Sequence, residues 1–269
     1  GNVHVTGHFN GTVNFGAGLV ASAGASDVFV SKLNSSGAHQ WTTTFAGTGH
    51  ADGLGVAVDG SGNVHVTGSF RGTVNFGAGD VASAGDLDVS VTKLNSAGAH
   101  QWTTTFGGTS NDRAYVVAVD GSGNVHVTGY FVGTVDFGAG DVTSAGATDV
   151  FVTKLNSAGA HQWTTTFGGT SSDVGYGVAV DGSGNVHVTG HFNGTVNFGA
   201  GNVTAVGASD VFVTKLNSSG AHQWTTTFGG GSGAGDWGRG VAVDGSGNVH
   251  VTGHFNGTVN FGAGNVTSA

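Results

Sequence analysis

The chain has 269 residues and contains no cysteine, proline, methionine, glutamate or isoleucine. Without cysteine there is no disulfide framework, thiolate nucleophile or zinc knuckle. Without glutamate, neither an HExxH metalloprotease nor a calcium loop closed by a bidentate glutamate can be built. Positive charge is also scarce, with seven Lys and Arg and a net charge of −9. That excludes the basic stripe a nucleic-acid partner requires and a polybasic membrane patch. No apolar run approaches the roughly 18 residues of a spanning helix, so membrane insertion is not expected. No secretory leader is legible, because residue 1 is a Gly inside a repeated motif, and the N-terminus reads as processed or trimmed.

What is present is glycine, 54 residues of it, and periodicity. The heptapeptide GNVHVTG starts at Gly1, Gly62, Gly123, Gly184 and Gly247, at spacings of 61, 61, 61 and 63. The chain therefore reads as a single repeat domain over 1–269, with units 1–61, 62–122, 123–183 and 184–246 and a partial unit 247–269. Each unit runs in the order NVHVTGYF, GTVDFGAG, DVFVTKLN, AHQWTTTF, a loop, and GVAVDGSG or its equivalent. These short segments are rich in Val, Phe and Thr and are bounded by Gly, Ser, Asn and Asp, the pattern of strands and hairpins. We expect four main strands and one short extra strand per unit.

GSG between AVD and NVHV, and SSGA between TKLN and HQW, are tight reversals whose glycines can take positive φ. DVFVTKL is apolar on both faces and needs cover on both. A four-strand unit repeated at fixed period satisfies this by stacking blades around an axis, so the fold class expected is an all-β propeller of antiparallel blades. A β-solenoid is the alternative, disfavoured because its rungs advance without reversing.

The fragments KLNSSGAHQWTTTF (215–228) and GGTSSDVGYGVAVDGSGNVHVTGHF (168–192) resemble the bacterial extracellular β-propeller repeats known as SBBP. The AVDxxGNVxV hairpin is also similar to the NHL type. The resemblance covers the whole chain and implies architecture, a secreted or surface location and no catalytic residues. A unit of 61 residues exceeds the roughly 40–50 of familiar blades. The excess falls between NVHVTG and DVFVTKL and is expected to form a short strand and a projecting loop.

Gly1 opens at the second strand of a unit, so Gly240–Asp244 is expected to supply the missing innermost strand as a clasp. Residues 247–269, however, repeat residues 1–23 except at Leu19/Asn265 and Ala21/Thr267, and compete for that place. A longer protein, pairing with a neighbouring molecule, or a distorted fifth blade would each accommodate them. An unpaired edge is a template for another chain, and head-to-tail pairing that fails to close makes a filament.

Of the 13 histidines, those in VHV and HQW recur at fixed slots and read as packing rather than metal ligands. The Asp-Gly-Ser-Gly-Asn hairpins at Asp59, Asp120, Asp181 and Asp244 resemble the start of a calcium loop. They are also natural turn chemistry, which is the reading preferred. Trp41, Trp102, Trp163 and Trp224 fill space between blades or stack on sugars. The loop before GVAV varies from unit to unit while the strands barely change, and loops on a rigid scaffold are where recognition sits. The binding candidates are therefore Trp237, Asp236 and Arg239 in GGGSGAGDWGRG, with Arg113, Tyr115, Tyr176 and His50 in the corresponding loops.

No GxSxG elbow, SxxK, P-loop or dinucleotide fingerprint occurs. The chain is not expected to be an enzyme, and no cofactor or metal is implied. The sequence reads as an extracellular or surface structural or interaction protein that assembles with itself head-to-tail through its terminal half-repeat. The alternative is a multivalent propeller whose partners are surface glycans.

Overall fold

The computed structural model describes residues 1–231 and 233–268, and among these every regular element is a β-strand. Three complete sheets are four-stranded antiparallel meanders. The first comprises His50–Val58, Val64–Arg71, Asp88–Leu94 and His100–Phe106. The second comprises Arg113–Val119, Val125–Phe131, Asp149–Leu155 and His161–Phe167, and the third Val174–Val180, Val186–Phe192, Asp210–Leu216 and His222–Phe228. Before them lie Val3–Phe9, Asp27–Leu33 and His39–Gly47, and after them Trp237–Val243 paired with Val249–His254. Strands that reverse within each sheet are incompatible with solenoid rungs.

The reversals are where the glycines stand. Gly62, Gly123, Gly184 and Gly247 close the GSG turns with φ between 78° and 83°, a conformation that other residues adopt at a cost. The Asp opening each turn fixes it: Asp59 Oδ1 accepts the Ser61 and Asn63 N–H groups at 2.9 Å each, while Oδ2 accepts from Asn63 Nδ2 at 2.8 Å.

Two expectations are corrected. The clasp does not form: Trp237–Val243 pairs with Val249–His254, not with Val3–Phe9. The inserted segment is also more than one short strand and a loop. It is a two-stranded hairpin, Thr134–Asp136 with Asp141–Thr143 in the third unit, and it acts as a wedge. Phe137 just beyond its first strand is 2% exposed. Its ring lies 5.7 Å from Phe106 of one sheet and 5.4 and 5.2 Å from Phe131 and Phe151 of the next, so burying one aromatic joins two sheets.

The first strands of successive sheets pack serially, His50–Val58 on Arg113–Val119, that on Val174–Val180, and that on Trp237–Val243. Glycine permits the approach, since a Cβ on Gly55 would stand 2.9 Å from the Tyr115 carbonyl oxygen. Farther out, the Trp102 indole donates to the Ser157 carbonyl at 3.1 Å and Thr104 Oγ1 donates to the Gly159 carbonyl at 2.9 Å. Gly159, at φ +83°, leaves room for the indole, which a Cβ there would meet at 2.7 Å. Trp41 and Trp163 repeat this clamp on Ser96 and Ser218, so these rings join neighbouring sheets.

Candidate functional site

The pairing register slips at one place in every first strand: Gly53/Gly55, Ala114/Val116, Gly175/Gly177 and Gly238/Gly240. Leu54, Tyr115, Tyr176 and Arg239 are thus the extra residues of equivalent β-bulges, a device that re-aims a side chain. Two residues earlier stand Asp52, Arg113, Val174 and Trp237, and across the ladder from these stand Ser69, Tyr130, His191 and His254. These three slots hold a different set of residues in each unit, whereas the strands around them hardly change.

The slots meet in one continuous ridge. At one end Asp52, with its side chain 5% exposed, lies 3.0 Å from His8 Nδ1, 2.8 Å from His50 Nε2 and 2.8 Å from an Arg113 guanidinium nitrogen. Arg113 Nε also donates to Ser69 Oγ at 3.2 Å. Because a carboxylate only accepts, His50 Nε2 carries a proton towards Asp52, and Nδ1 lies 2.6 Å from Ser26 Oγ. Ser26, His50 and Asp52 therefore stand in a hydrogen-bonded line, but Ser26 is 4% exposed and Asp52 is held by Arg113.

From there the ridge turns aromatic. Tyr115 lies 6.1 Å from Tyr130 and 5.1 Å from Tyr176 between ring centroids. Trp237 stacks on His191 at 4.8 Å and 17°, and lies 6.0 Å from Tyr176 and 5.3 Å from His254. The Arg239 guanidinium sits over both Tyr176 and Trp237, 4.4 and 4.5 Å from their centroids. Burial, with Tyr115 close by, raises the Tyr130 and Tyr176 phenols, so both keep their protons at neutral pH. Burial, then Arg239 and His254, lowers His191 to about 4 and keeps it neutral.

Of the residues singled out from the sequence, Trp237, Arg239, Arg113, Tyr115, Tyr176 and His50 are brought together on this ridge. Asp236 is not. It is fully buried, with Oδ2 accepting the Gly230 N–H at 3.0 Å and Oδ1 the Asn256 N–H at 2.7 Å. Asp112 and Asp173 clamp their loops in the same way. The sequence reading missed His8, Ser69, Tyr130, His191 and His254. Their signal was the one changing position in NVHVTGxF.

The loop clamps form buried acid pairs. Asp88 Oδ2 accepts the Ala84 N–H at 2.8 Å, but Asp88 Oδ1 is buried without a partner, as are Asp149 Oδ1 and Asp210 Oδ1. Burial, with the paired Asp88 or Asp149 carboxylate adding to it, raises Asp112 and Asp173 to about 6. The first unit has Ala51 where the later ones have Asp112, Asp173 and Asp236, and there the Gly47 N–H turns to Asp27 Oδ1 at 3.2 Å.

The GSG hairpins are occupied by their own donors. Burial opposes the shift, but hydrogen bonds from Asn63, His65 and Ser61 outweigh it and hold Asp59 down at about 2. No group of three or more His, Cys, Asp or Glu among the described residues is placed to hold a metal.

Comparison with known proteins follows the same lines. The family model described as Beta-propeller repeat, SBBP, matches residues 101–130, 162–196 and 223–259. The chain is 30% identical over 207 residues to the regulatory protein FlaEY of Caulobacter vibrioides, covering 74% of this chain and 22% of that protein. It is 25% identical over 228 residues to an uncharacterized WD repeat-containing protein of Acanthamoeba polyphaga mimivirus, covering 70% of this chain and 16% of the other. The chain thus spans less than a quarter of either relative. The matched segments each run from the HQW strand through the variable loop and its bulge, so the aromatic part of the ridge lies in segments similar to the SBBP β-propeller repeat.

Proposed function

We propose that this chain is a non-enzymatic recognition module, extracellular or attached to the cell surface. Its sheets act as blades around an axis, and the ridge at one end of their innermost strands is the contact face for surface glycans. One observation carries the reading. The three strand slots around the bulge, which change from unit to unit, meet on one surface whose larger part is aromatic rings with polar tips, which suits saccharide C–H faces and hydroxyl groups. The carboxylates with raised pKa, Asp88, Asp112, Asp149, Asp173 and Asp210, are all buried, none more than 4% exposed, and lie out of a substrate's reach. The test is a glycan array probed with the intact chain and with Tyr115→Ala and Trp237→Ala. Ridge-dependent binding is expected, and an array dark for the parent chain overturns the proposal.

Self-association remains as a second reading, favoured by one feature. Beyond Val249–His254 lies an apolar cavity of about 370 Å³ lined by Phe228, Phe255 and Phe261, among others. Earlier units place Phe151 and Phe212 against the corresponding Phe137 and Phe198. A DVFVTKL strand fits there, from further repeats of the same chain or from a second copy. Sedimentation with and without residues 247–269 tests the latter, and a monomer in both cases removes it.

A further inference from the structure

The chain has only seven Lys and Arg, and their partners can be followed one by one. Lys32, Lys93 and Lys154 donate to the carbonyls of Ser96, Ser157 and Ser218. Lys215 lies 3.5 Å from Asp181 and Arg71 3.1 Å from Asp86. Arg113 is neutralised by Asp52 at 2.8 Å. Lys93 and Lys154 also lie 3.7 and 3.9 Å from Asp59 and Asp120, so among the described residues Lys32 and Arg239 have no ion pair; Lys32 gives its ammonium to a carbonyl, and Arg239 is the exposed one on the ridge.

Arg239 is nonetheless held in place. The faces of Tyr176 and Trp237 lie 4.4 and 4.5 Å from its guanidinium carbon. Stacking engages the face of a guanidinium and leaves donors at its edge, so an arginine fixed between rings is preorganised for a planar anion. In a protein of net charge −9, a ridge with one cation free of a carboxylate does not suit a polyanion such as nucleic acid, which needs many. It suits a ligand with a single anionic group at this point.

Resting on the reading of the ridge as the contact face, we propose that its ligand is an acidic saccharide. The sugar's carboxylate or sulfate is received by Arg239, whose guanidinium covers Tyr176 and Trp237, and its C–H face lies against the next ring of the row, Tyr115. The centroid separation from Tyr176 to Tyr115, 5.1 Å, is of the order of one sugar ring. An acidic peptide side chain would use the guanidinium alone, whereas a sugar ring bearing its own anion uses the guanidinium and the adjoining face together.

The test is calorimetric titration of the intact chain with galacturonate oligosaccharides, sulfated galactan oligosaccharides and neutral galacto-oligosaccharides, with acetate as the simple anion. One or both acidic series should bind, more tightly than the neutral series and than acetate, and the difference between them identifies carboxylate or sulfate. Arg239→Gln, at an exposed position, should leave the melting temperature unchanged and weaken acidic binding by about tenfold or more, the scale of a lost charge-assisted hydrogen bond. It should weaken neutral binding far less than acidic binding. Equal binding of neutral and acidic series with no effect of Arg239→Gln overturns the inference while leaving the ridge as a glycan site. No binding of any saccharide to the parent chain overturns both.

Discussion

Replacing Asp88 by Asn should stabilise the protein at pH 7.5 and have little effect at pH 4. Asp88 Oδ2 accepts the Ala84 N–H, an acceptor role that an amide oxygen keeps, while Oδ1 is buried without a partner. Burial, with the Asp88 carboxylate adding to it, raises Asp112 to about 6 from 3.8. Between these values the folded state binds more protons than the unfolded chain, so stability falls as pH rises through the window and the penalty is complete above it. A shift of this size is about 3 kcal/mol. Burial accounts for the largest share of it, so removing the neighbouring charge and supplying a donor at the orphaned oxygen should recover about 1–2 kcal/mol. In a domain of this size that is roughly 2–8 °C in melting temperature. The assay is thermal melting by circular dichroism from pH 4 to 8, with the two curves converging at the acid end. The first unit is an internal control. Asp27 Oδ1 already accepts the Gly47 N–H at 3.2 Å and Ala51 removes the second acid, so Asp27→Asn should destabilise. Equal or lower melting temperatures for Asp88→Asn throughout, or a gain for Asp27→Asn, would refute the reasoning.

The acid limb should belong to histidines: burial first, then Lys154, lowers His126 to about 4, and burial lowers His191 similarly. Stability from these two is full above 6.5 and lost as pH falls towards 4, opposing the gain from Asp112 and Asp173. Burial likewise lowers His4, His65, His100, His161 and His187 and raises Asp88, Asp149 and Asp210, so replacing His126 and His191 by Gln should make the melting temperature rise more, or fall less, than the parent's as pH drops from 6.5 to 4.5, and parallel curves would contradict the opposition. Gly159→Ala should cost about 2–4 kcal/mol, from positive φ and from the Trp102 ring at 2.7 Å. Gly121→Ala, with open space around it, should stay within about 0.5 kcal/mol; denaturant melts compare them, and equal effects would remove the clamp. Ser26 should resist fluorophosphonate labelling despite its 2.6 Å contact with His50. Stoichiometric labelling by mass spectrometry would overturn the non-enzymatic proposal.

Where sequence and structure diverge, the reason is local. Hairpins were legible because Asp59, Gly62 and their counterparts carry turn chemistry in their side chains and φ. The bulges at Leu54, Tyr115, Tyr176 and Arg239 were not, since one extra residue leaves no mark beyond a break in alternation, and small neighbours blur even that. Asp236 read as exposed because it sits beside Trp237 in the longest loop, yet buried N–H groups of Gly230 and Asn256 require its carboxylate inside. The clasp shows a different limit. Val3–Phe9 and Val249–His254 share one sequence, so contact chemistry cannot choose which of them pairs with Trp237–Val243. Chain connectivity can: the GSG turn closes a few residues, whereas reaching Val3 closes a loop across most of the chain, a difference of roughly 3 kcal/mol in loop-closure entropy. With equal contacts on offer the nearer copy wins, and the pairing found follows from where each strand lies along the chain.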